Sequence, residues 1–230
     1  MKRPIHQKQE AIYCMLARFG EAMSSPRRLK IIGLLSQGPK SVDQLAGMTG
    51  QSLAATSAHL KVLRASGLVV ARKEGRHVWC SLADDSVTRV WLSLRQLGEE
   101  LLPEVREIIR DYFENPETLA ALDMGEVLEA AAAGRVILID LRHEDEYAAG
   151  HLPHARHIAS AHLASRMKEL PAKVPVLAYC RGPYCITAID GTVALRKGGY
   201  SAQRLPFGVP EWKAAGLPLA DAESGNPSKN

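Results

Sequence analysis

Apolar residues recur at the three-and-four spacing of amphipathic helices through most of the first 110 positions. One such stripe follows Ser25-Pro26, which places a capping residue ahead of a proline in the first turn. A second follows Ser41, which stands three residues before Gln44 as in a capping box. A third follows Ser52, after a turn at Gly50. Two short helices joined by a tight glycine-containing turn predict a helix-turn-helix.

A predicted hairpin follows the helix-turn-helix. Two runs rich in β-forming residues, 68–72 and 77–82, flank the polar residues 73–76. We interpret this hairpin as the wing of a winged helix-turn-helix domain. A long apolar stripe from Val87 to Leu101 then predicts a helix, which Pro103 either kinks or separates from a new one. Because the stripe is wider than one small domain can cover, we expect a homodimer formed through it and the helix around Cys14.

Beyond position 116 helical and strand patterns alternate. Helices are predicted at 124–133, 144–149, after Cys185 and at 211–215, and strands at 136–140, 174–179 and 202–206. This alternation is typical of a parallel sheet covered by helices. The fold class is therefore an α+β winged helix-turn-helix domain followed by an α/β domain with a parallel sheet. We place the first domain at residues 1–112, a linker at 113–122, the second domain at 123–220 and a disordered tail at 221–230.

Composition and charge narrow the class of protein. The chain has 230 residues, of which 46% are hydrophobic, enough for two ordinary cores. No apolar run approaches the roughly 18 residues that span a bilayer, and none follows the charged start, so we expect a cytoplasmic protein with no membrane partner. Residues 1–82 contain 13 Lys and Arg against 4 Asp and Glu, a balance of +9, whereas residues from 116 onward balance at −1. This asymmetry indicates a polyanionic partner for the first domain.

The third helix and the wing suit double-stranded DNA. Small side chains at the front of the helix allow close entry into the major groove, where Ser57 can bond a base edge and Ala54 or Ala58 can touch a thymine methyl. Basic residues further along suit phosphates. The alternative is a stable alanine-rich helix beside a solubilising wing. The residues that we predict to contact DNA are Ser52, Ala54, Ala55, Ser57, Ala58, Lys61, Arg64, Arg72, Lys73, Arg76 and His77.

The first domain resembles the ArsR/SmtB family of winged-helix repressors. The matching stretches are residues 25–31 (SPRRLKI), 57–63 (SAHLKVL), 67–69 (GLV) and 74–77 (EGRH). The resemblance implies a homodimer that represses at an operator and releases it when an inducer arrives. Many members sense metals through a cysteine pair on the helix matching residues 42–48, or through Asp and His ligands on the dimer helix. Neither stretch has Cys or His here, so we expect no metal site of those kinds and no cofactor.

The segment from Cys180 to Cys185 predicts a reactive thiol. It lies between a predicted buried strand and a predicted helix, so Cys180 would face backbone N–H groups and the positive end of the helix dipole. Both favour the thiolate and predict a pKa for Cys180 below that of a free thiol. The same amides can cradle an anionic group on the sulfur. Cys180 is therefore our candidate nucleophile, with Arg181 as the loop cation.

The second domain resembles the rhodanese homology domain in residues 138–142 (LIDLR), 146–155 (EYAAGHLPHA), the Cys180 loop, and 211–218. The resemblance implies that Cys180 accepts a sulfane sulfur as a persulfide and passes it to a thiol. It also implies that Asp140 and Arg142 line the pocket side of the first strand. The loop departs from the common pattern, because Cys185 stands where sulfurtransferases often have arginine. Cys185 can resolve a persulfide into a disulfide, or it is a small buried helix residue.

Three functions remain open from the sequence. The first is a regulator, acting as a repressor, that responds to reactive sulfur species or oxidants through the rhodanese-like domain. The second is a sulfurtransferase whose DNA-binding domain controls its own gene. The third is a metal-responsive repressor. Cys14 and Cys80 are either core residues of the first domain or sensor thiols that receive sulfur.

Overall fold

The computed structural model describes residues 5–221. Contacts divide the chain into two compact units, residues 1–91 and 92–230. The division falls within one helix, whereas our domain boundaries at 112 and 123 stay predictions. Residues 222–230 of the predicted disordered tail lie outside the described part of the chain.

The first unit is a helical core with a small antiparallel sheet. Its sheet has strand order β1-β3-β2, with the two wing strands paired from Val69↔Leu82 to Glu74↔His77. The last helix begins in this unit and ends in the second. The elements are α1 (Ile5–Met23), α2 (Pro26–Leu35), β1 (Lys40–Ser41), α3 (Val42–Thr49), α4 (Leu53–Ala65), β2 (Val69–Glu74), β3 (His77–Leu82) and α5 (Asp85–Leu101).

Local signals explain the helix-turn-helix. Ser41 and Gln44 form the predicted capping box at the start of α3. Gly50 ends that helix with φ 68, the left-handed conformation that glycine adopts without strain. The Ser52 hydroxyl then accepts the Ala55 N–H at 3.2 Å and caps α4. The strand β1 was not predicted, because two residues are too short to show an alternating pattern.

One apolar core holds the first unit together. Ile31 and Ile32 of α2, Leu45 of α3 and Leu63 of α4 are fully buried, and the wing strand adds Cys80. The same core extends to the start of α5, through the buried Val87 and the partly buried Trp91. The apolar stripe of each predicted helix therefore faces inward, as helical amphipathicity requires.

The second unit is built on a four-stranded parallel sheet of order β5-β4-β6-β7. Pro103 begins a new helix rather than a kink. The short elements β5 and α9 and two 3₁₀ turns were not predicted. The elements are α6 (Pro103–Phe113), α7 (Met124–Ala132), β4 (Ile137–Asp140), α8 (Glu144–Ala148), β5 (Arg156–His157), α9 (Leu163–Arg166), β6 (Val176–Tyr179), α10 (Ile186–Lys197), β7 (Ala202–Arg204) and α11 (Val209–Ala214).

Both faces of this sheet are covered, which is why its central strands β4 and β6 are apolar throughout most of their length. Leu138 and Leu177 pack on one side with Trp212, while Ile139 and Val176 pack on the other. The carboxyl ends of β4 and β6 lead into the segments that hold the predicted site residues. None of the helices in the described range 5–221 is long and apolar enough to cross a membrane.

Candidate functional sites: the recognition helix and the thiol loop

The predicted DNA-reading residues lie on the outer face of α4. Of these, Ser52, Ala54, Ser57, Ala58, Lys61 and Arg64 are exposed and Ala55 is half-buried. The opposite face of α4, with Thr56, Leu60 and Leu63, packs into the core. The helix therefore presents small side chains at its N-terminal end and cations toward its C-terminal end, as the sequence predicted.

The wing side chains that we predict to contact phosphates are exposed, although two of them have acidic neighbours. Arg72, Lys73, Arg76 and His77 all lie on the surface of the β2–β3 hairpin. Arg72 forms an ion pair with Glu74, and the His77 ring lies 3.8 Å from the Asp43 carboxylate. Such exposed pairs are weak, so they leave these side chains available to phosphates.

The thiol loop, residues 180–185, connects β6 to α10. Cys185 is the residue that caps the twelve-residue helix α10, and its N–H donates to the Gly182 carbonyl at 3.2 Å. Gly208 lies directly against the loop backbone. A Cβ at position 208 would come within 2.7 Å of the Cys180 carbonyl oxygen and 2.9 Å of the Gly182 nitrogen. Only glycine therefore allows the loop to pack as it does.

The prediction of a lowered pKa for Cys180 is wrong. Its thiol donates a hydrogen bond to Cys185 and it is 1% exposed, and both effects raise the pKa of Cys180 well above its usual value. The backbone N–H groups that we expected to stabilise a Cys180 thiolate stabilise Cys185 instead, at the other end of the loop. The loop turns so that the helix N-terminus faces Cys185, which sequence spacing alone does not reveal.

Cys185 is the stabilised thiolate of the pair. The hydrogen bond from Cys180 lowers the pKa of Cys185 to about 5, despite the opposing effect of burial. The backbone N–H groups of Arg181 and Ala188 and the Thr187 hydroxyl also favour the charged form. Its position at the N-terminus of α10 agrees with this, because the helix dipole stabilises negative charge there.

Two arginines flank the thiol loop. Arg181 is held by Glu146 in a bidentate pair, with hydrogen bonds of 2.6–3.1 Å. Arg204 of β7 is 2% exposed, donates to the Pro183 carbonyl at 3.1 Å and has a favourable charge interaction with Cys185. The sequence predicted Arg181 and missed Arg204, because nothing local places β7 beside the loop.

Asp140 and Arg142 are closed off from solvent, contrary to the expectation that they line a pocket. Both side chains are fully buried, and they bond each other with a shortest distance of 2.6 Å. Arg142 also donates to the Gly150 carbonyl at 2.8 Å. Burial alone would lower the pKa of Arg142, but the neighbouring Asp140 raises it above its usual value. The pair therefore fixes the turn after β4 and does not reach an external anion.

Tyr184 of the thiol loop contacts α5 within the second unit. Its hydroxyl donates to Glu99, and the Arg95 guanidinium lies 5.6 Å from its ring centre. Arg95 in turn pairs with Glu211 at 2.6 Å. The Phe113 ring of α6 packs edge-on against Tyr184, with 5.5 Å between ring centres. Sequence reasoning missed this cluster, because Tyr184 and Glu99 are 85 positions apart.

Comparison with known proteins identifies both halves of the chain. Residues 25–70 match the model of the arsR family of bacterial regulatory proteins, and residues 123–215 match that of the rhodanese-like domain. The HTH-type transcriptional regulator Rv0324 of Mycobacterium tuberculosis is 38% identical over 212 residues, which cover 92% of this chain and 93% of that one. The chain belongs to the arsR family of transcriptional regulators.

Shorter relatives of this arsR-family regulator match only part of it. The regulator YgaV of Escherichia coli is 33% identical over 34% of this chain and 79% of its own. A solved homodimeric winged helix-turn-helix DNA-binding domain from Mycobacterium bovis is 33% identical, covers 44% of this chain and 93% of its own, and has a TM-score of 0.41. The two family models and the observed elements together confirm the winged helix-turn-helix and the parallel-sheet rhodanese-like fold.

The other two thiols of the regulator differ from each other. Cys80 is 1% exposed in the core, and burial raises its pKa. Cys14 is exposed on α1, so it is not a core residue of the single chain. Within residues 5–221, no group of three or more His, Cys, Asp or Glu side chains is arranged to hold a metal ion.

Proposed function

We propose that this regulator is a homodimeric repressor whose affinity for operator DNA changes when reactive sulfur species or oxidants modify the thiol loop. The winged unit would bind the operator through α4 and the wing. The rhodanese-like domain would act as the sensor, or as a sulfur relay toward other thiols. Its site is the pair Cys180 and Cys185 rather than Cys180 alone.

The observation that carries this proposal is the bond between Tyr184 and Glu99. Tyr184 directly precedes Cys185, so a covalent change at the thiols would act on the residue next to it. Glu99 lies on α5, and the first turns of α5 place Val87 and Trp91 in or against the core of the winged unit. The helix α5 would therefore carry the coupling between thiol chemistry and DNA binding, as rigid secondary-structure elements can.

Exposed apolar side chains support the homodimer. On α1, Ile12 and Leu16 are 57% and 54% exposed, and on α5, Val90, Leu94 and Leu97 are 47%, 38% and 51% exposed. Such rows along two helices suit burial against a second copy, since monomeric proteins rarely leave large apolar patches in water. A two-fold dimer would place two recognition helices about 34 Å apart, one turn of DNA.

The test is DNA affinity before and after treatment with polysulfide. The probe is a duplex that the reduced protein selects from a random library. We expect polysulfide to weaken binding by roughly 5–150-fold, an ordinary allosteric effect, in the wild type but not in Cys180→Ser.

A relay of sulfur to Cys14 or Cys80 would still operate in Cys185→Ser, whereas a disulfide switch would not. An equal response in wild type, Cys180→Ser and Cys185→Ser would exclude the second domain as the sensor, and rapid turnover with constant affinity would favour a sulfurtransferase.

A further inference from the structure

The two thiols of the loop differ in how a reagent can approach them. Cys180 is 1% exposed at the end of a central strand, enclosed by the core residues around it. Cys185 is partly exposed at the start of α10. Of the two residues, Cys185 is therefore the more accessible to a molecule arriving from solvent.

The two cysteines of the loop also differ in protonation. The Cys180 thiol donates its proton toward Cys185, while N–H groups, the Thr187 hydroxyl and the end of α10 stabilise negative charge on Cys185. The buried Arg204 adds an attractive charge near the same sulfur. The thiolate is the nucleophilic form of cysteine, so the accessible sulfur is also the charged one.

We propose that Cys185 attacks the signal molecule first and that Cys180 then displaces the added group to close a Cys180–Cys185 disulfide. The assignment rests on the proposed function for the class of signal, a hydroperoxide or a polysulfide. It reverses the order that the position of Cys180 at the strand end predicted. It also gives Cys185 a catalytic role in place of the arginine that often stands there in sulfurtransferases.

With a hydroperoxide, the Cys185 thiolate attacks the terminal oxygen and the O–O bond breaks. The departing alkoxide takes a proton from water, and Cys185 becomes a sulfenic acid. The Cys180 sulfur then attacks the Cys185 sulfur, the S–O bond breaks, and hydroxide leaves with the Cys180 proton as water. The two cysteines lose two electrons together and the peroxide gains them. The side-chain interaction between Cys180 and Cys185 makes them direct neighbours for this step.

With a polysulfide, the Cys185 thiolate attacks a sulfane sulfur and the adjacent S–S bond breaks. The shortened polysulfide leaves and takes up a proton from water, which forms a persulfide on Cys185. Cys180 then attacks the Cys185 sulfur, and hydrogen sulfide leaves with the Cys180 proton. Both signals thus give the same disulfide, by way of different intermediates on Cys185.

The first experiment uses the wild-type protein alone. A short pulse of iodoacetamide at pH 6 is followed by mass spectrometry of each cysteine peptide. A free thiol is only about 0.3% ionised at this pH, so we expect Cys185 to be labelled at least tenfold faster than the exposed Cys14, and Cys180 more slowly than either. Labelling of Cys180 as fast as Cys185 would overturn the assignment.

The second experiment adds one equivalent of hydroperoxide. The wild type should form the Cys180–Cys185 disulfide, while Cys180→Ser should stop at a Cys185 sulfenic acid that dimedone traps. In Cys185→Ser, oxidation of Cys180 should be at least tenfold slower, and oxidation at the wild-type rate would contradict the proposal. Thermal unfolding controls for the folding of both variants, and the pulse labelling of the wild type decides the order even if one fails.

Failure of this inference can be told apart from failure of the proposed function. If the disulfide forms through Cys185 but binding of the selected duplex does not change, the chemistry stands and the regulation fails. If binding changes while Cys180 reacts first, the regulation stands and the order of attack is wrong.

Discussion

The two units of the regulator place their arginines in opposite environments. In the first unit Arg64, Arg72 and Arg76 lie on the surface of the recognition helix and wing. In the second unit Arg142 and Arg204 are almost completely buried against carboxylate and carbonyl oxygens. Exposed cations can bind a partner reversibly, such as the phosphate backbone of DNA. Buried cations are committed to internal bonds and serve to position the thiol loop and its surroundings.

Replacing a buried cation should have the largest effect. Arg142→Met leaves the Asp140 carboxylate buried without its counter-charge, and we expect a loss of about 3–5 kcal/mol in the free energy of unfolding of the second unit. Hydrogen exchange of the β4 and β6 amides measures this locally. The matched surface change Arg64→Met should alter stability by less than about 0.5 kcal/mol. Equal effects of the two changes would contradict the distinction between the units.

Removing one hydroxyl at the thiol loop should have an intermediate effect, on coupling rather than stability. Tyr184→Phe deletes the bond to Glu99 but keeps the ring against Arg95 and Phe113. We expect the polysulfide-induced change in affinity for the selected duplex to shrink by most of its 1–3 kcal/mol. The control is Tyr112→Phe on α6, where the ring is 73% exposed. An unchanged response in Tyr184→Phe would remove α5 as the route between thiols and DNA.

The smallest expected effects concern the exposed cations. Lys61→Ala and Arg76→Ala should each weaken binding to all duplex sequences and lower the salt slope by about one unit per lost phosphate contact. Lys197→Ala, an exposed cation of α10, should leave both unchanged. Ser57→Ala should instead alter base preference, which selection from a random library would reveal. A uniform loss of affinity in Ser57→Ala would assign that residue to the phosphates.

The sequence predicted the winged unit well because its signals are local. Capping residues, the turn at Gly50 and the helical apolar stripes all lie within a few positions of the structure that they specify. The same holds for the alternation of helices and strands in the second unit. The two-residue strands β1 and β5 are exceptions, since each exists only through its pairing with a distant strand.

The chemistry of the thiol loop could not be predicted in the same way. Which cysteine holds the negative charge depends on the path of the six residues between β6 and α10, and the sequence argument assigned it to the wrong end. The partners Glu99, Arg204 and Glu146 come from elements distant in the chain. The pairing of Arg142 with Asp140 was not predicted for a different reason. Both residues were expected to face a ligand rather than each other.

The close fit of Gly208 against the thiol loop has a consequence for which substitutions the protein tolerates at this position. In a scan of every substitution at every position, position 208 should reject all nineteen alternatives, since even a methyl group would meet the Cys180 carbonyl oxygen at 2.7 Å. Such intolerance is usually interpreted as a sign of direct participation in chemistry. Here it would come from a residue with no side chain and no reactive atom, whose contribution is the space that it leaves empty.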